Sequence, residues 1–319
     1  MGEAGLRGRF APSPSGRMHL GNALSALLAW LDARAAAGQL LLRIEDLDPQ
    51  RTGEPWITRL KEDLAWLGLD WDEGEGAGGP RGPYRQSERT QLYQMALKRL
   101  EEQGVVYPCW CSRAERLAAS APHAGQVRER GECPCREFTP AQRAERGRER
   151  APAWKAAVPK QTVSFLDGNL GRQEFQLAGE CGDFILRRSD GVYAYQLAVT
   201  VDDALMGGTR GVRGRDLLSS TPWQIWLHQM LGYPPPEYCH IPLLVDQEGR
   251  RLSKRDRDLD LGALRTRHTP EEVVGRLAWL AGLLERPEPA TPRELIPLFS
   301  WEKIQKQDRF LPADGIFDD

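Results

Sequence analysis

Apolar residues along the first hundred positions alternate between two periods. Short apolar segments at Gly8–Pro14 and Leu40–Ile44 read as strands. Between them, Leu20, Leu24, Leu27, Leu28, Leu31 and Ala35 recur at helical spacing and predict a helix with one buried face and Gly38 as its C-cap. Pro55–Leu67 reads as a second helix and Ser87–Gln103 as a third, closed by Gly104 before a strand at Val105–Tyr107. Such alternation predicts an α/β fold built on a parallel sheet. From Arg113 to Pro152 the pattern fails. Arg, Glu, Gly and Pro dominate and large aliphatics are few, so the segment reads as an insertion ordered by something other than a hydrophobic core. Short strands are expected at Trp154–Val158, Thr162–Leu166, Glu174–Leu177 and Phe184–Arg187, with α/β pattern returning near Val192. Leu217–Leu231 predicts an amphipathic helix, Tyr238–Val245 a strand, and Leu261–Arg267 and Pro270–Leu284 further helical pieces.

Composition narrows the classes. A chain of 319 residues, 40% hydrophobic and 28% charged, can bury one large core or two linked ones. Its net charge of −2 does not announce a nucleic-acid partner, so any RNA must be met by a local basic face. Residues such as Arg113, Arg128, Arg130 and Arg136 could form one, or could equally be a solvated surface. Met1–Phe10 carries two arginines but no signal-like apolar run follows, and no stretch is long enough to span a membrane, which makes the cytoplasm the expected location.

Four of the six cysteines form two Cys-x-Cys pairs, Cys109 with Cys111 and Cys133 with Cys135. In a polar insertion this spacing points to a closed tetrahedral zinc site rather than a disulfide scaffold, although four free buried thiols would also be compatible with it. Cys181 and Cys239 are expected to be structural.

The stretch Arg9-Phe-Ala-Pro-Ser-Pro-Ser-Gly-Arg-Met-His-Leu-Gly-Asn22 joins a strand to a helix through a proline-rich turn. A helix N-terminus favours anions, His19 and Asn22 can offer donors to phosphate oxygens, and Gly21 carries no side chain to keep a flat base away. A lone His-x-Gly would ordinarily be incidental. A second stretch, Arg251-Leu-Ser-Lys-Arg255, follows a strand and a glycine-containing turn. Alone it would read as a solvated loop, but Ser253 and Lys254 could also close over a triphosphate.

Together the two stretches resemble the paired signatures of the class I aminoacyl-tRNA synthetases, in the form used by the glutamyl and glutaminyl branch. The resemblance covers roughly Arg9 to Arg267 and implies a Rossmann-like catalytic domain that binds ATP, with Mg²⁺ accompanying it. His19, Asn22 and Lys254 would be catalytic, and Gly21 and Ser253 would share in ATP binding. It also implies a glutamate pocket of Arg9, Ser13, Glu45, Tyr195 and Arg213. In that pocket Glu45 would pair with the substrate ammonium and Arg9 would take a carboxylate in a fork, whereas without the neighbouring motifs Glu45 and Arg43 would pass for a surface ion pair. Asp202-Asp203 resembles the branch's Val-Asp-Asp segment. Val199 stands where an asparagine is common, which implies one polar contact fewer. A Cys-x-Cys occurs at the base of an insertion in the same branch; where related short enzymes use a tyrosine as ligand, Gly131 stands here, so Cys133 is expected to replace it.

On this resemblance residues 1–108 and 191–256 are expected to be the two halves of the catalytic domain. Residues 109–190 would be the zinc-containing insertion with its connecting strands, and 257–319 a helical C-terminal region. Only 65 residues follow Lys254, too few for a large anticodon-reading domain. The short form with its cysteine insertion resembles the paralogues that attach glutamate to queuosine in the anticodon loop of tRNA(Asp), acting as monomers on L-glutamate and ATP. A minimal enzyme charging a tRNA 3′ end, an enzyme passing glutamate to a carrier protein or small molecule, and an inactive tRNA- or nucleotide-binding paralogue remain alternatives.

Overall fold

The structure is a computed structural model that describes residues 5–50, 52–111, 133–249, 260–311 and 317. Its frame is a seven-stranded sheet in the order β3-β2-β1-β9-β10-β6-β7. The strands are β1 (Arg7–Phe10), β2 (Gln39–Leu42), β3 (Glu73–Gly74), β6 (Thr162–Asp167), β7 (Gly171–Gln176), β9 (Arg210–Gly214) and β10 (Glu237–Ile241). All pairings are parallel except that of β6 with its hairpin partner β7. The α/β expectation therefore holds, with an antiparallel edge. A second, antiparallel sheet joins β4 (Val106–Cys109), β5 (Ala153–Ala156) and β8 (Phe184–Arg187). A parallel pair joins β11 (Leu244–Val245) to β12 (Arg309–Phe310).

Helices cover both faces of the main sheet, which is how parallel strands become apolar on two sides. On one face lie α1 (Leu20–Ala35), α2 (Glu54–Trp66) and α8 (Pro270–Ala281), packed on Phe10, Leu40, Leu42, Val212, Cys239 and Ile241. On the other lie α3 (Thr90–Glu102), α5 (Tyr195–Leu205) and α6 (Thr221–Leu231), around Tyr238, Val163 and Leu227. Between α3 and α5 in the chain comes α4 (Pro140–Glu149), which has a Thr139 capping box and no buried residue. The short α7 (Leu261–Leu264) precedes α8.

Helix α1 corrects the sequence expectation. It is buried nearly all round, since Ala23, Ala26, Ala29 and Ala33 are covered as well as the leucines, while Ala35 is exposed. The sheet packs one side and α8 the other, so small residues serve as contact surface where a one-sided helix would carry polar groups. Gly38 is not the C-cap. Ala36 holds that position, Ala37 takes the left-handed conformation with φ 49°, and Gly38 N–H bonds Ala33 O at 2.8 Å. Glycine is needed at 38 because a Cβ there would lie 2.3 Å from the Leu6 carbonyl oxygen. Two further elements divide: Pro242 splits the expected Tyr238–Val245 strand into β10 and β11, and the helix expected from Leu217 begins as a 3-10 turn over Arg215–Ser220.

The order of connection reverses between the parallel neighbours β1 and β9. From β1 the connections run outward through β2 to β3, while β9 leads the opposite way to β10. The crevice beyond the carboxyl ends of two such strands is where open α/β sheets place ligands.

Candidate active site

Two groups of side chains converge on that crevice. The first lies at the start of α1. His19 is its N-cap and bridges to Asp260, Asn22 sits half-buried on the first turn, and Leu261 N–H bonds Met18 O at 2.8 Å. A narrow cleft is bounded by His19, Gly21 and Ser25 on one side, Gly214 at the end of β9, and Pro242, Leu243 and Leu244 opposite. Gly21 has a reason beyond leaving room for a base: a Cβ would stand 3.2 Å from the His19 ring and push it aside. Sequence reasoning missed Gly214 and the Pro242–Leu244 wall. A proline and two leucines after a strand carry no local signal of a ligand. Ser253 and Lys254 lie outside the described residues.

The second group is a buried polar layer between the sheet and helices α5 and α6. Strand alternation puts Arg9 on the same face as Gly211, Tyr238 and Asp167, and Arg213 beside His240. Asp203 of α5 rises into this layer. It accepts from Arg9 Nε at 3.1 Å and Nη2 at 3.4 Å, and from Arg43 Nη1 at 2.7 Å. Burial alone would raise its pKa, but the two guanidiniums reverse that and hold it well below the carboxylate range. The same ion pairing outweighs burial for Arg9 and Arg43, whose charges are secured. Asp202 is fully buried and accepts from Arg89 Nε (2.6 Å), Gln86 Nε2 (2.8 Å) and the Tyr93 hydroxyl (2.9 Å).

Arg9, Glu45, Tyr195 and Arg213 are brought within electrostatic reach of one another here. Glu45 is tied by its backbone N–H to Pro12 O at 3.0 Å, which fixes the loop after β1 to the chain leaving β2. Burial pushes the Glu45 carboxyl up to about 7, although Arg43 and Arg9 pull the other way. It accepts from Arg43 Nη2 at a long 3.5 Å, so the acid sits in a low-dielectric place with little to balance a negative charge. Tyr195, the first residue of α5, is held neutral by burial and then by Glu45. The Nε–Nη2 edge of Arg9 is occupied by Asp203 and Nη1 donates to Val212 O at 3.4 Å, which leaves one N–H on each terminal nitrogen. Arg213 donates to His240 Nε2 (3.1 Å), Gln224 Oε1 (2.5 Å) and Thr221 Oγ1 (2.7 Å), with its plane 4.5 Å from the Tyr238 ring centre. Ser13 is exposed, and its carbonyl accepts from Ser15 N–H at 2.9 Å. Val199 is buried one helical turn from Tyr195.

Further groups in the layer escaped sequence reasoning because nothing near them in the chain marks them. Burial lowers the His228 imidazole to about 4, and among the described residues neither ring nitrogen has a partner. The Tyr238 hydroxyl is likewise buried without a partner.

The four clustered cysteines meet in space. Cys109 Sγ lies 3.5 Å from Cys133 Sγ, Cys111 Sγ lies 3.6 Å from those of Cys133 and Cys135, and all four fall within 4.8 Å of one another. Tetrahedral coordination at about 2.3 Å per sulfur would place the sulfurs about 3.8 Å apart, so the set fits a metal ion. The bond from Cys109 pulls Cys133 down to about 4, while that bond and burial push Cys109 up. Cys181 and Cys239 are buried, away from this cluster. Arg136 is half-buried near Asp183, and Arg113, Arg128, Arg130 and Gly131 fall outside the described residues. Among the described residues no helix is long and apolar enough to cross a membrane.

Comparison with known proteins places this geometry. Residues 5–303 match the family model described as tRNA synthetases class I (E and Q), catalytic domain. The chain is 51% identical over 316 residues to a glutamyl-Q tRNA(Asp) synthetase of Symbiobacterium thermophilum, covering 98% of this chain and 97% of that one. It is 40% identical over 315 residues to glutamate–tRNA ligase 2 of Syntrophus aciditrophicus, covering 97% of this chain and 64% of that one. Among solved structures, a glutamate tRNA ligase of Elizabethkingia meningosepticum in complex with its amino acid superposes with a TM-score of 0.83 at 27% identity, covering 98% of this chain and 68% of the other.

Proposed function

The chain belongs to the class I tRNA synthetase family of the E and Q enzymes, and from that premise we propose that it activates L-glutamate with ATP and transfers it to queuosine in tRNA(Asp). What supports this most is the end-to-end likeness to the Symbiobacterium relative, 98% of this chain against 97% of that one. The polar layer suits glutamate, since each terminal nitrogen of Arg9 and Arg213 has one N–H beyond those bonded within the fold, and an ammonium would add to the single Arg43 contact that faces the buried Glu45 carboxylate.

In the first step an α-carboxylate oxygen of glutamate attacks the α-phosphorus of ATP. Pyrophosphate leaves and glutamyl-adenylate remains. Arg9, Ser13, Glu45, Tyr195 and Arg213 hold the amino acid. His19, Gly21 and Asn22, with Ser253 and Lys254, hold the nucleotide and stabilise charge on the departing phosphates, and Mg²⁺ enters with ATP. In the second step a hydroxyl of the queuosine ring attacks the glutamyl carbonyl and AMP leaves. Cys109, Cys111, Cys133 and Cys135 would hold one structural Zn²⁺ that orders a segment with little apolar surface of its own. The enzyme works as a cytoplasmic monomer.

The test is transfer of labelled glutamate, with ATP, to matched tRNA(Asp) preparations with and without queuosine. Label only on the queuosine form, surviving removal of the 3′-terminal nucleoside, is the expected result. Label lost with that nucleoside would replace this reading by charging of a tRNA 3′ end. Glutamate-dependent pyrophosphate exchange without transfer would leave activation and discard the acceptor.

A further inference from the structure

Arg213 is oriented from behind by residues that the synthetase signatures do not include. His240 on β10 lies fully buried among three partners. Its Nδ1 is 2.5 Å from Asp167 Oδ2, and its Nε2 is 3.1 Å from Arg213 Nε and 3.2 Å from Thr221 Oγ1. Arginine Nε can only donate, so Nε2 of His240 must present a lone pair to it. The ring proton is then on Nδ1, where Asp167 accepts it. Asp167 is itself fixed at the end of β6, because its Oδ1 accepts the backbone N–H groups of Asn169 (3.0 Å), Leu170 (2.9 Å) and His240 (3.1 Å).

We propose that Asp167 and His240 are positioning residues for the amino-acid substrate: they hold the Arg213 guanidinium through one tautomer of a neutral imidazole, so that its outer N–H groups face the pocket. The inference rests on the reading of Arg213 as a glutamate ligand. The groups around His240 agree on its charge state. Burial disfavours the imidazolium, Arg213 on β9 and Arg9 on β1 repel it, and Asp167 alone favours it; the balance lies below the ordinary histidine value. A proton on Nε2 would set donor against donor and cation against cation across the 3.1 Å contact with Arg213.

Two substitutions separate this role from packing. In Asp167→Asn the three backbone donors retain the amide oxygen at the Oδ1 position, which turns the NH₂ toward His240 Nδ1 and drives the ring proton to Nε2. His240→Phe keeps a ring beside Tyr238 but removes the acceptor. In glutamate-dependent ATP–pyrophosphate exchange, each should raise the KM for glutamate about tenfold or more while leaving the KM for ATP unchanged. Long-range ¹⁵N NMR of the unsubstituted protein near neutral pH should show His240 protonated at Nδ1 only, and Asp167→Asn should show it at Nε2. Folded variants with an unchanged glutamate KM, or a wild-type His240 that is cationic or protonated at Nε2, would overturn the proposal. If both variants fail to fold, the wild-type NMR result decides. If the wild-type protein shows no glutamate-dependent exchange, the functional reading fails, while the tautomer is still tested independently.

Discussion

Replacing Glu45 by Gln tests the pocket through its proton. In the unliganded protein burial lifts this carboxyl from 4.5 to about 7, so the acid is half-protonated near neutrality. An ammonium in contact needs the carboxylate, and the apparent affinity scales with the ionised fraction, about nine-tenths near pH 8 and about one-tenth near pH 6. The KM for glutamate in ATP–pyrophosphate exchange should therefore rise about tenfold from about pH 8 to about pH 6. Glu45→Gln should raise it by about 10- to 150-fold at pH 8, the worth of one charge-assisted bond of about 1.5–3 kcal/mol, and should flatten the profile. Stability carries the opposite sign. With its folded pKa above its unfolded one, Glu45 binds its proton more tightly in the fold, so the free protein is most favoured below about pH 4.5. It loses up to roughly 3 kcal/mol as pH rises through about 7, and saturating glutamate should offset part of that loss. A wild-type KM that stays level between those pH values, or a Glu45→Gln protein that keeps the slope, would refute the reasoning.

Asp203→Asn should destabilise the fold by about 3–5 kcal/mol in urea titrations, because it leaves the buried Arg9 and Arg43 charges without their shared partner; a midpoint unchanged at constant slope would contradict this. Lys254→Ala should lower the exchange rate constant about 10²- to 10³-fold with little change in the KM for glutamate, as expected for a group that acts on developing phosphate charge. Cys111→Ser, or prolonged chelation, should release about one equivalent of metal by atomic absorption and raise hydrogen exchange at the β4–β5 pairing, while the β1–α1 region stays protected.

Much of this was legible along the chain, because it depends on neighbours in sequence. Apolar periodicity marked α1 and the parallel strands β1, β2, β6 and β10, but not β3 or the central β9, whose Arg-Gly-rich sequence has no apolar run. The proline-rich turn before His19 marked the helix N-terminus that borders the cleft, and paired Cys-x-Cys spacing marked a cluster whose sulfurs do meet. Boundaries slipped where a single residue interrupts a pattern, as Pro242 does between β10 and β11. Other features were decided only by tertiary structure. Arg9 and Asp203 stand 194 positions apart, and Arg43 and Asp203 160 apart, so no local pattern shows that these arginines face inward. In sequence they look like surface charge; in the fold, strand alternation turns them toward α5, and exclusion of water makes each charge depend on its partner. The same burial sets the proton affinity of Glu45, and the contacts of His240 with Arg213 and Asp167, from other strands, set its tautomer. Sequence periodicity marked most of the elements, whereas the strand order that opens the crevice between β1 and β9, and the protonation states inside it, exist only once the chain has closed.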